Sequence, residues 1–370
     1  MHALIAVALV AIGLAGALVV LDAAVRTFVV PRGSIVLFTV VIFQAIRWCF
    51  DLFASRRSSY EARDRVWALY APISLLALPS ISMLVVFGAF ACIFGGLEQD
   101  GIRSALMTSG SSLFTLGFQR PPDLPSAFAA FGEATIGLAL LALLIAYLPT
   151  IYNTFSRREV AVTDLAIRAG TPPTPRSLLV RAHQTGFLGE LDPFWESWMA
   201  WFTEVQETHT SYGSLAFFRS PNPHRSWVTA AGAVLDAAAF RLAVVDIPPT
   251  PQAALCIRSG YLALREVAGF FGFDYDDSPS PDDPISVTRE EFDAVCGALV
   301  EAGVPVHPDY DQAWRDFAGW RVNYDRVLVT LAGFVLAPYA PWVSDRSAIE
   351  PLPHFRWGRR RVELSRRSQK

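Results

Sequence analysis

The residues best suited to chemistry lie in one short stretch, SGSSLFTLGFQRPPDLP (109–125), which separates two long apolar runs. Its first charged residue is Arg120, and a glycine, Gly117, lies near its middle. An extended backbone run that contains a glycine can turn successive carbonyl oxygens toward one axis, where they replace the hydration shell of an alkali cation. Such irregular backbone is tolerated at membrane depth only where protein buries it or where it lines a watery cavity. The residues of the stretch alone leave two interpretations open, a loop that conducts ions and a loop that conducts nothing.

Other residues with reactive side chains are scattered along the chain. The four cysteines, Cys49, Cys92, Cys256 and Cys296, form no CxxC pair, so neither a disulfide framework nor a zinc site is expected. No nucleophile–base pair, phosphate-binding loop or cluster of metal ligands is recognisable. The sequence therefore predicts a protein that is not an enzyme and that holds no cofactor or metal. Its net charge of −3 gives no reason to expect a nucleic-acid partner.

The loop belongs to a strongly apolar part of the chain. Of the 370 residues 52% are hydrophobic, and four long charge-poor runs occupy 3–25, 34–54, 67–96 and 127–155. The first, third and fourth runs are long enough to cross a hydrocarbon core of about 30 Å. The second contains Arg47 and predicts either a span or a helix that lies on the membrane surface.

Arginines at the ends of these runs predict their orientation, because cytoplasmic loops carry an excess of basic residues. They precede the third run and follow the fourth: Arg56, Arg57, Arg63, Arg65, Arg157 and Arg158. Both positions are therefore expected in the cytoplasm, so the two runs form a hairpin whose connecting loop, 98–125, faces outward. The prediction is a multi-pass protein of the cell membrane with a cytoplasmic C-terminal domain.

The hairpin resembles the pore module of two-transmembrane potassium channels, whose filter reads Thr-Val-Gly-Tyr-Gly-Asp. Thr115, Leu116, Gly117 and Phe118 match its first four positions, with Leu for Val and Phe for Tyr. The resemblance implies an all-α membrane protein in which a re-entrant pore helix and filter lie between two spanning helices, preceded by one or two N-terminal helices. Other stretches are similar to actinobacterial channel-like membrane proteins, without a function attached to them. They are LDAAVRTFVVPRG, GLALLALLIAYLPTIYNTFSRRE, FFRSPNPHRSW and RVNYDR.

The resemblance also implies roles for single residues in a homotetramer within the lipid bilayer, each chain supplying one loop. The four matching residues would pass potassium or another monovalent cation along their carbonyl oxygens, with the Thr115 hydroxyl as a further ligand and the Phe118 ring packed outward. Gly137 and Pro149 are candidate gating hinges, and a plain kink is the alternative for Pro149. Glu133 either lies behind the filter and hydrogen-bonds the pore helix or faces water at the interface.

Two residues depart from the channel pattern at the outer mouth of the filter. Gln119 replaces the second filter glycine, whose backbone conformation a Gln adopts at a cost of about 1–2 kcal/mol. Arg120 replaces the acidic residue, so a tetramer would carry a ring of positive charge there, partly neutralised by Asp123. The sequence therefore predicts a monovalent-cation pore with altered selectivity. The alternative is a non-conducting membrane sensor or scaffold that retains the channel fold.

The rest of the chain predicts a regulatory helical domain. The stretch SWVTAAGAVLDAAAFRLAVV (226–245) is apolar enough for a further span, but Asp236 and Arg241 favour a buried helix of a bundle. Three tryptophans at three-residue spacing indicate the core face of a helix, with a subunit contact as the alternative. They are Trp195, Trp198 and Trp201.

These features divide the chain into five parts. They are N-terminal membrane segments with a basic linker (1–66), the pore module (67–155), a linker (156–178), the helical cytoplasmic domain (179–352) and a basic tail (353–370). Next to a membrane, a cluster of arginines gains about 1 kcal/mol per cation from anionic lipid. The tail therefore predicts either a contact with anionic lipid or a solubilising segment.

Overall fold

The computed structural model describes residues 2–29, 36–57, 59–98 and 100–347. Helix accounts for 75% of the structure, and these residues form no strand beyond an isolated bridge between Val245 and Val306. The prediction of an all-helical protein is therefore confirmed. The basic tail, 353–370, and with it the predicted contact with anionic lipid, lies outside the described residues.

Thirteen α-helices follow one another along the described chain. They are α1 (His2–Ala24), α2 (Leu37–Ala54), α3 (Tyr60–Ala68), α4 (Tyr70–Leu97), α5 (Ile102–Leu113), α6 (Leu124–Ala169), α7 (Pro175–Gln184), α8 (Asp192–Ser211), α9 (Trp227–Ala243), α10 (Pro251–Phe270), α11 (Arg289–Glu301), α12 (Tyr310–Arg321) and α13 (Asp325–Phe334).

Four helical segments are long and apolar enough to cross a membrane: Ala3–Thr27, Leu37–Ala54, Tyr60–Leu97 and Leu124–Ala169. Their positions agree with the four apolar runs of the sequence. The second has the lowest mean hydropathy, 1.6 against 2.2 to 2.9 for the others, because Arg47 and Asp51 lie within it. The prediction of membrane-spanning helices is confirmed to this extent.

The chain folds into two compact units, Met1–Asn153 and Thr154–Lys370. In the first, α1 packs along α4 at glycine positions. A Cβ atom on Gly13 would lie 2.3 Å from the carbonyl oxygen of Ala89, and one on Gly96 would lie 2.6 Å from that of Ala6. Glycine therefore permits the two backbones to touch, as is common between membrane helices. Apolar side chains of α4, α5 and α6 complete the core of this unit.

Helix α9 lies at the centre of the second unit. Each of its residues except Leu242 is buried, and α7, α10, α12 and α13 contact it. The predicted buried bundle helix is therefore confirmed. The three tryptophans of α8 belong to the same core, as predicted from their spacing.

The motif RVNYDR fixes the junction of α12 and α13 to α9. The buried guanidinium of Arg321 donates from Nε to Asp325 Oδ1 over 2.7 Å, and it also pairs with Asp236 of α9. The Tyr324 hydroxyl donates to Asp236 Oδ1 over 2.9 Å. Burial opposes the charge of Arg321, but Asp236 and Asp325 together raise its pKa above the usual range. A flanking motif without an assigned function is thus a buried ion-pair cluster, whose disruption by loss of one partner costs about 3–5 kcal/mol.

Arg158 and His209 form a second buried polar cluster in this unit. Arg158 Nη1 lies 3.2 Å from His209 Nε2 and donates over 2.8 Å to the carbonyl oxygen of Leu215, while Nη2 donates to Glu159 Oε1 over 2.8 Å. A guanidinium can only donate, so Nε2 must accept and the imidazole is neutral. Burial and the charge of Arg158 both hold the pKa of His209 well below its ordinary value.

The predicted linker, 156–178, is mostly helical in the structure. Helix α6 continues to Ala169 and α7 begins at Pro175, so only five residues separate them. The stretch 156–169 contains neither Gly nor Pro, and Val162, Leu165 and Ala169 recur at helical spacing and are buried. The prolines at 172, 173 and 175 indicate a linker. The helical spacing of the apolar residues before them predicts a helix instead, and the structure has that helix.

Candidate ion-conducting loop

The candidate loop is a non-helical segment, 114–123, between α5 and α6. Helix α5 ends where the amide of Phe114 donates to the carbonyl oxygen of Gly110 and Thr115 adopts a left-handed φ of +54°. Gly117 has a φ of +72°, and only glycine takes that conformation without strain. The segment contributes exposed side chains, with Leu116 at 63% and Phe118 at 54% exposure.

Three amide groups of the loop converge on one residue of α5. The amide nitrogens of Leu116 and Gly117 lie 2.8 and 3.5 Å from the carbonyl oxygen of Ser111, and that of Gln119 lies 3.1 Å from its hydroxyl. Ser111 is itself buried. The side of the loop that faces α5 is therefore lined by N–H groups.

The carbonyl oxygens of the loop face the other way. In a planar trans peptide the C=O of one residue is antiparallel to the N–H of the next. Since the amides of Leu116, Gly117 and Gln119 point to Ser111, the carbonyls of Thr115, Leu116 and Phe118 point away from it. In a β-strand successive carbonyls alternate between the two sides, whereas peptide geometry directs these three to the side opposite Ser111. Such a row of oxygens is the chemistry that binds a partly dehydrated cation.

Ser109 and Glu133 fix α5 to its neighbours. Glu133 of α6 is fully buried, and its Oε1 lies 2.6 Å from the hydroxyl of Ser109, which also lies 2.9 Å from the carbonyl oxygen of Phe87 in α4. The sequence left two interpretations of Glu133 open, a buried side chain that hydrogen-bonds the pore helix and a side chain that faces water. In the structure Glu133 is buried and its carboxyl group is hydrogen-bonded to Ser109 of α5.

The hydrogen-bond count at Glu133 favours a protonated carboxyl. A hydroxyl carries one proton, so Ser109 can donate either to Glu133 or to Phe87 but not to both. If Glu133 donates to Ser109, the serine proton is free for the carbonyl oxygen of Phe87 and both contacts are satisfied. The second carboxyl oxygen, Oε2, is buried and has no hydrogen-bond partner among the described residues, which a neutral acid tolerates better than a carboxylate.

The predicted backbone strain at Gln119 is wrong. The described loop residues with a positive φ are Thr115 and Gly117, and Gln119 is not among them. Its amide is instead held by Ser111. The left-handed conformation falls on Thr115, whose hydroxyl donates to the carbonyl oxygen of Phe114 over 2.8 Å.

Arg120 and Asp123 lie at the exit of the loop. Both are exposed. Asp123 Oδ1 accepts a hydrogen bond from the amide of Ser126 over 2.9 Å, so the carboxylate caps the start of α6. Asp123 thus has a structural task besides the predicted neutralisation of Arg120.

The two candidate hinges lie within a continuous helix, since α6 extends through both Gly137 and Pro149. A Cβ atom on Gly137 would lie 2.7 Å from the carbonyl oxygen of Leu113, the last residue of α5. Close packing against α5 therefore requires glycine here, whatever its role in bending. Pro149 is exposed.

Ser109 and Ser111 are residues of the candidate site that the sequence interpretation missed. The Ser109 hydroxyl contacts Glu133 of α6, and the carbonyl and hydroxyl of Ser111 accept from the loop amides. The sequence does not distinguish these serines from others in a polar stretch. The available signal was a run of small polar residues, SGSS, beside two apolar helices, where each hydroxyl needs a partner inside the protein.

Comparisons with known proteins add no family to this description. No family model, curated protein or solved structure matches the chain. The function proposed below rests on the sequence pattern and on the geometry of the loop.

Proposed function

We propose that this protein is a potassium-channel-like pore for monovalent cations that acts in the cell membrane as a homotetramer. The observation that carries the proposal is the convergence of the Leu116, Gly117 and Gln119 amides on Ser111. By peptide geometry it directs the carbonyls of Thr115, Leu116 and Phe118 to the opposite side of the loop. The loop lies between two apolar helices of sufficient length, α4 and α6, as a pore loop requires. These features support conduction better than any enzymatic or nucleic-acid-binding role.

Four copies of the chain are needed for such a pore. One loop offers three oxygens on one side, whereas a dehydrated alkali cation requires rings of carbonyl oxygens around it. A closed ring with rotational symmetry supplies identical loops at equal distances from one axis. The unit Thr154–Lys370 would regulate opening or assembly of the ring.

Arg120 determines the expected size of the cation flux. In a tetramer it places four positive charges at the outer mouth, which lower the local concentration of cations and are screened over about 10 Å at 0.1 M salt. We therefore expect a smaller cation flux than a filter with an acidic mouth would give, with a steep dependence on ionic strength.

A non-conducting membrane sensor or scaffold is the second candidate function. Gln119 and Arg120 favour it, because both depart from the channel pattern at the mouth of the filter. In that case the buried anchors Ser109 and Glu133 would preserve the fold, and the open row of carbonyls would have no ion to bind.

Oligomeric state and rubidium uptake distinguish the two candidates. The full-length protein and the double variant Gln119→Gly/Arg120→Asp are purified, and their mass in detergent is measured before reconstitution into liposomes. Arg326→Asp is the control, since it makes the same charge change at an exposed residue of α13. We expect tetramers, rubidium uptake by all three and the largest uptake by the double variant. Uptake by the double variant alone would favour the scaffold, and a monomer or no uptake by any variant would exclude the pore.

A further inference from the structure

The connection between α2 and α4 carries a cluster of arginines to which the proposed pore assigns no role. All four are exposed: Arg56, Arg57, Arg63 and Arg65. The first two follow the end of α2, and the other two lie on α3, which has 9 residues and is therefore about 14 Å long. The four charges occupy a small part of the surface of the first unit and form what we call the arginine patch.

The arginine patch is accessible to a partner. Its guanidinium groups form no hydrogen bond or ion pair with the residues that the structure describes. Of the acidic residues nearby in the sequence, Asp64 is buried, whereas Asp51 and Glu61 are exposed. Exposed cations therefore outnumber exposed carboxylates, and the local charge is positive.

Aromatic packing fixes α3 against the end of α2. Trp67 of α3 is buried, its ring centroid lies 6.1 Å from that of Phe50 in α2, and the guanidinium of Arg47 lies 5.5 Å from the same centroid. The hydroxyl of Tyr70, at the start of α4, donates to the carbonyl oxygen of Phe43 in α2 over 3.3 Å. The arginines of α3 are therefore carried by a fixed helix, which a ligand would not need to order.

Exposed apolar side chains on the last turns of α2 precede the patch in the sequence. They are Trp48, Leu52 and Phe53, at 69%, 45% and 59% exposure. Tryptophan is enriched where a membrane meets water. Basic side chains beside large apolar ones are typical of protein surfaces that lie in the headgroup region of a bilayer. These side chains favour a lipid over a free phosphate ion, which has no acyl chains to contact them.

The neighbouring helices bring the patch to the membrane surface. It follows one candidate span, Leu37–Ala54, and precedes the apolar run that begins at Trp67 in the next. A cluster of four or more basic residues directly beside a membrane helix attracts anionic lipid headgroups, and each cation near the surface favours binding by about fivefold. The patch has the number of charges and the location that this requires.

We propose that the arginine patch binds the headgroups of anionic phospholipids. Guanidinium groups donate paired hydrogen bonds to phosphate oxygens, and the apolar side chains at the end of α2 contact the acyl chains. The net negative charge of the lipid distinguishes it from phosphatidylcholine. The inference rests on the membrane location in the proposed function but not on conduction, so either proposal can fail without the other.

Native mass spectrometry of the full-length protein tests the patch. The protein is equilibrated in a neutral detergent with equal amounts of phosphatidylglycerol and phosphatidylcholine, and the retained lipids are counted. We expect the wild type to prefer phosphatidylglycerol by at least fivefold. The variant Arg56→Gln/Arg57→Gln/Arg63→Gln/Arg65→Gln should lose most of this preference. Higher salt during the equilibration should also weaken it, because exposed charges are screened.

Two variants with the same change of charge are the controls. Four exposed arginines of the second unit are replaced in Arg176→Gln/Arg258→Gln/Arg315→Gln/Arg326→Gln, which should keep the preference. Four arginines of the basic tail are replaced in Arg359→Gln/Arg360→Gln/Arg361→Gln/Arg366→Gln, because the sequence predicts a separate lipid contact there. A preference that the tail variant loses and the patch variant keeps would overturn the proposal.

Loss of positive charge beside a membrane helix also affects insertion, so the folding of the patch variant is checked by its thermal unfolding midpoint without added lipid. The double variants Arg56→Gln/Arg57→Gln and Arg63→Gln/Arg65→Gln remove half of the charge each. We expect both to unfold at the midpoint of the wild type and to lose part of the preference, severalfold each. Equal retention of the two lipids by the wild type, or an unchanged preference in these folded variants, would contradict a lipid site at the patch.

Discussion

Ser111 is the residue on which the geometry of the loop depends. Its carbonyl oxygen and its hydroxyl receive three loop amides, and by peptide geometry this convergence directs the carbonyls of Thr115, Leu116 and Phe118 away from Ser111. The motif TLGF was recognisable in the sequence because Gly117 and its neighbours form a known pattern. The anchor was harder to recognise, because its carbonyl acceptor is present at every residue and only its place in the polar run SGSS distinguishes its hydroxyl.

Glu133 gives the first prediction at this scale. If the buried carboxyl is neutral, Glu133→Gln should keep the contact with Ser109, and thermal stability in detergent should change by less than about 1 kcal/mol. Glu133→Leu should cost about 1–3 kcal/mol, because it leaves the hydrogen-bonding group of Ser109 with one partner fewer. Thermal unfolding of both variants checks this. Equal damage by Gln and Leu would mean that a charged carboxylate is required.

His209 gives a prediction about pH. Its pKa in the folded protein lies well below the ordinary value of 6.5, because burial and Arg158 oppose the charged form. As the pH falls through 6.5 the unfolded chain binds a proton that the folded protein does not, so the free energy of unfolding decreases. The decrease should follow the titration of the imidazole in the unfolded chain, between about pH 7.5 and pH 5.

Thermal unfolding of the full-length protein, followed by tryptophan fluorescence across this pH range, measures the effect of His209. His209→Gln should flatten the decline, whereas His224→Gln, at an exposed site, should retain it. An identical pH dependence in the wild type and in His209→Gln would contradict the neutral buried imidazole.

Among the helices, α6 contributes residues to both compact units. Its first part contributes Glu133 and Gly137 to the packing of α5, and its last part contributes Val162 and Leu165 to the core of the second unit. The apolar run predicted the helix but not its end, because the charged stretch after Phe155 resembles the boundary of a membrane span. The helical spacing of Val162 and Leu165, and the absence of Gly and Pro from 156–169, are the signals that the helix continues.

Two glycines of α6 test its packing against α5. At Gly137 a methyl group would clash with the carbonyl oxygen of Leu113, whereas no atom of the described residues lies within 4 Å of the corresponding position at Gly132. Gly137→Ala should therefore lower thermal stability by about 1–3 kcal/mol. Gly132→Ala should raise it by about 0.5–1 kcal/mol, since alanine favours a helix. Thermal unfolding midpoints of the two variants test this prediction. An unchanged midpoint in Gly137→Ala would contradict the close contact between α6 and α5.

At the scale of the whole molecule, the sequence predicted an apolar N-terminal half with four long helices and a helical remainder. Hydropathy and periodicity are sufficient for this prediction. A long continuous apolar run is typical of a membrane span, whereas apolar residues at helical spacing are typical of a helix in a bundle. The central position of α9 and the cluster around Arg321 could not be predicted. They depend on Asp236 and Asp325, which both contact the guanidinium of Arg321. Asp325 is 4 residues from Arg321 in the sequence and Asp236 is 85 residues from it, and a single sequence does not show which residues are in contact.

Rubidium uptake by liposomes that contain verified tetramers of the wild type and of Gly117→Ala tests the central claim most directly. No atom of the described chain lies within 4 Å of a Cβ atom at this glycine, so within one subunit the substitution acts on the backbone conformation at its φ of +72°. We predict uptake by the wild type and a loss of at least tenfold in Gly117→Ala, because the carbonyl row depends on that conformation. No uptake by wild-type tetramers, or equal uptake by both proteins, would contradict a pore lined by this loop.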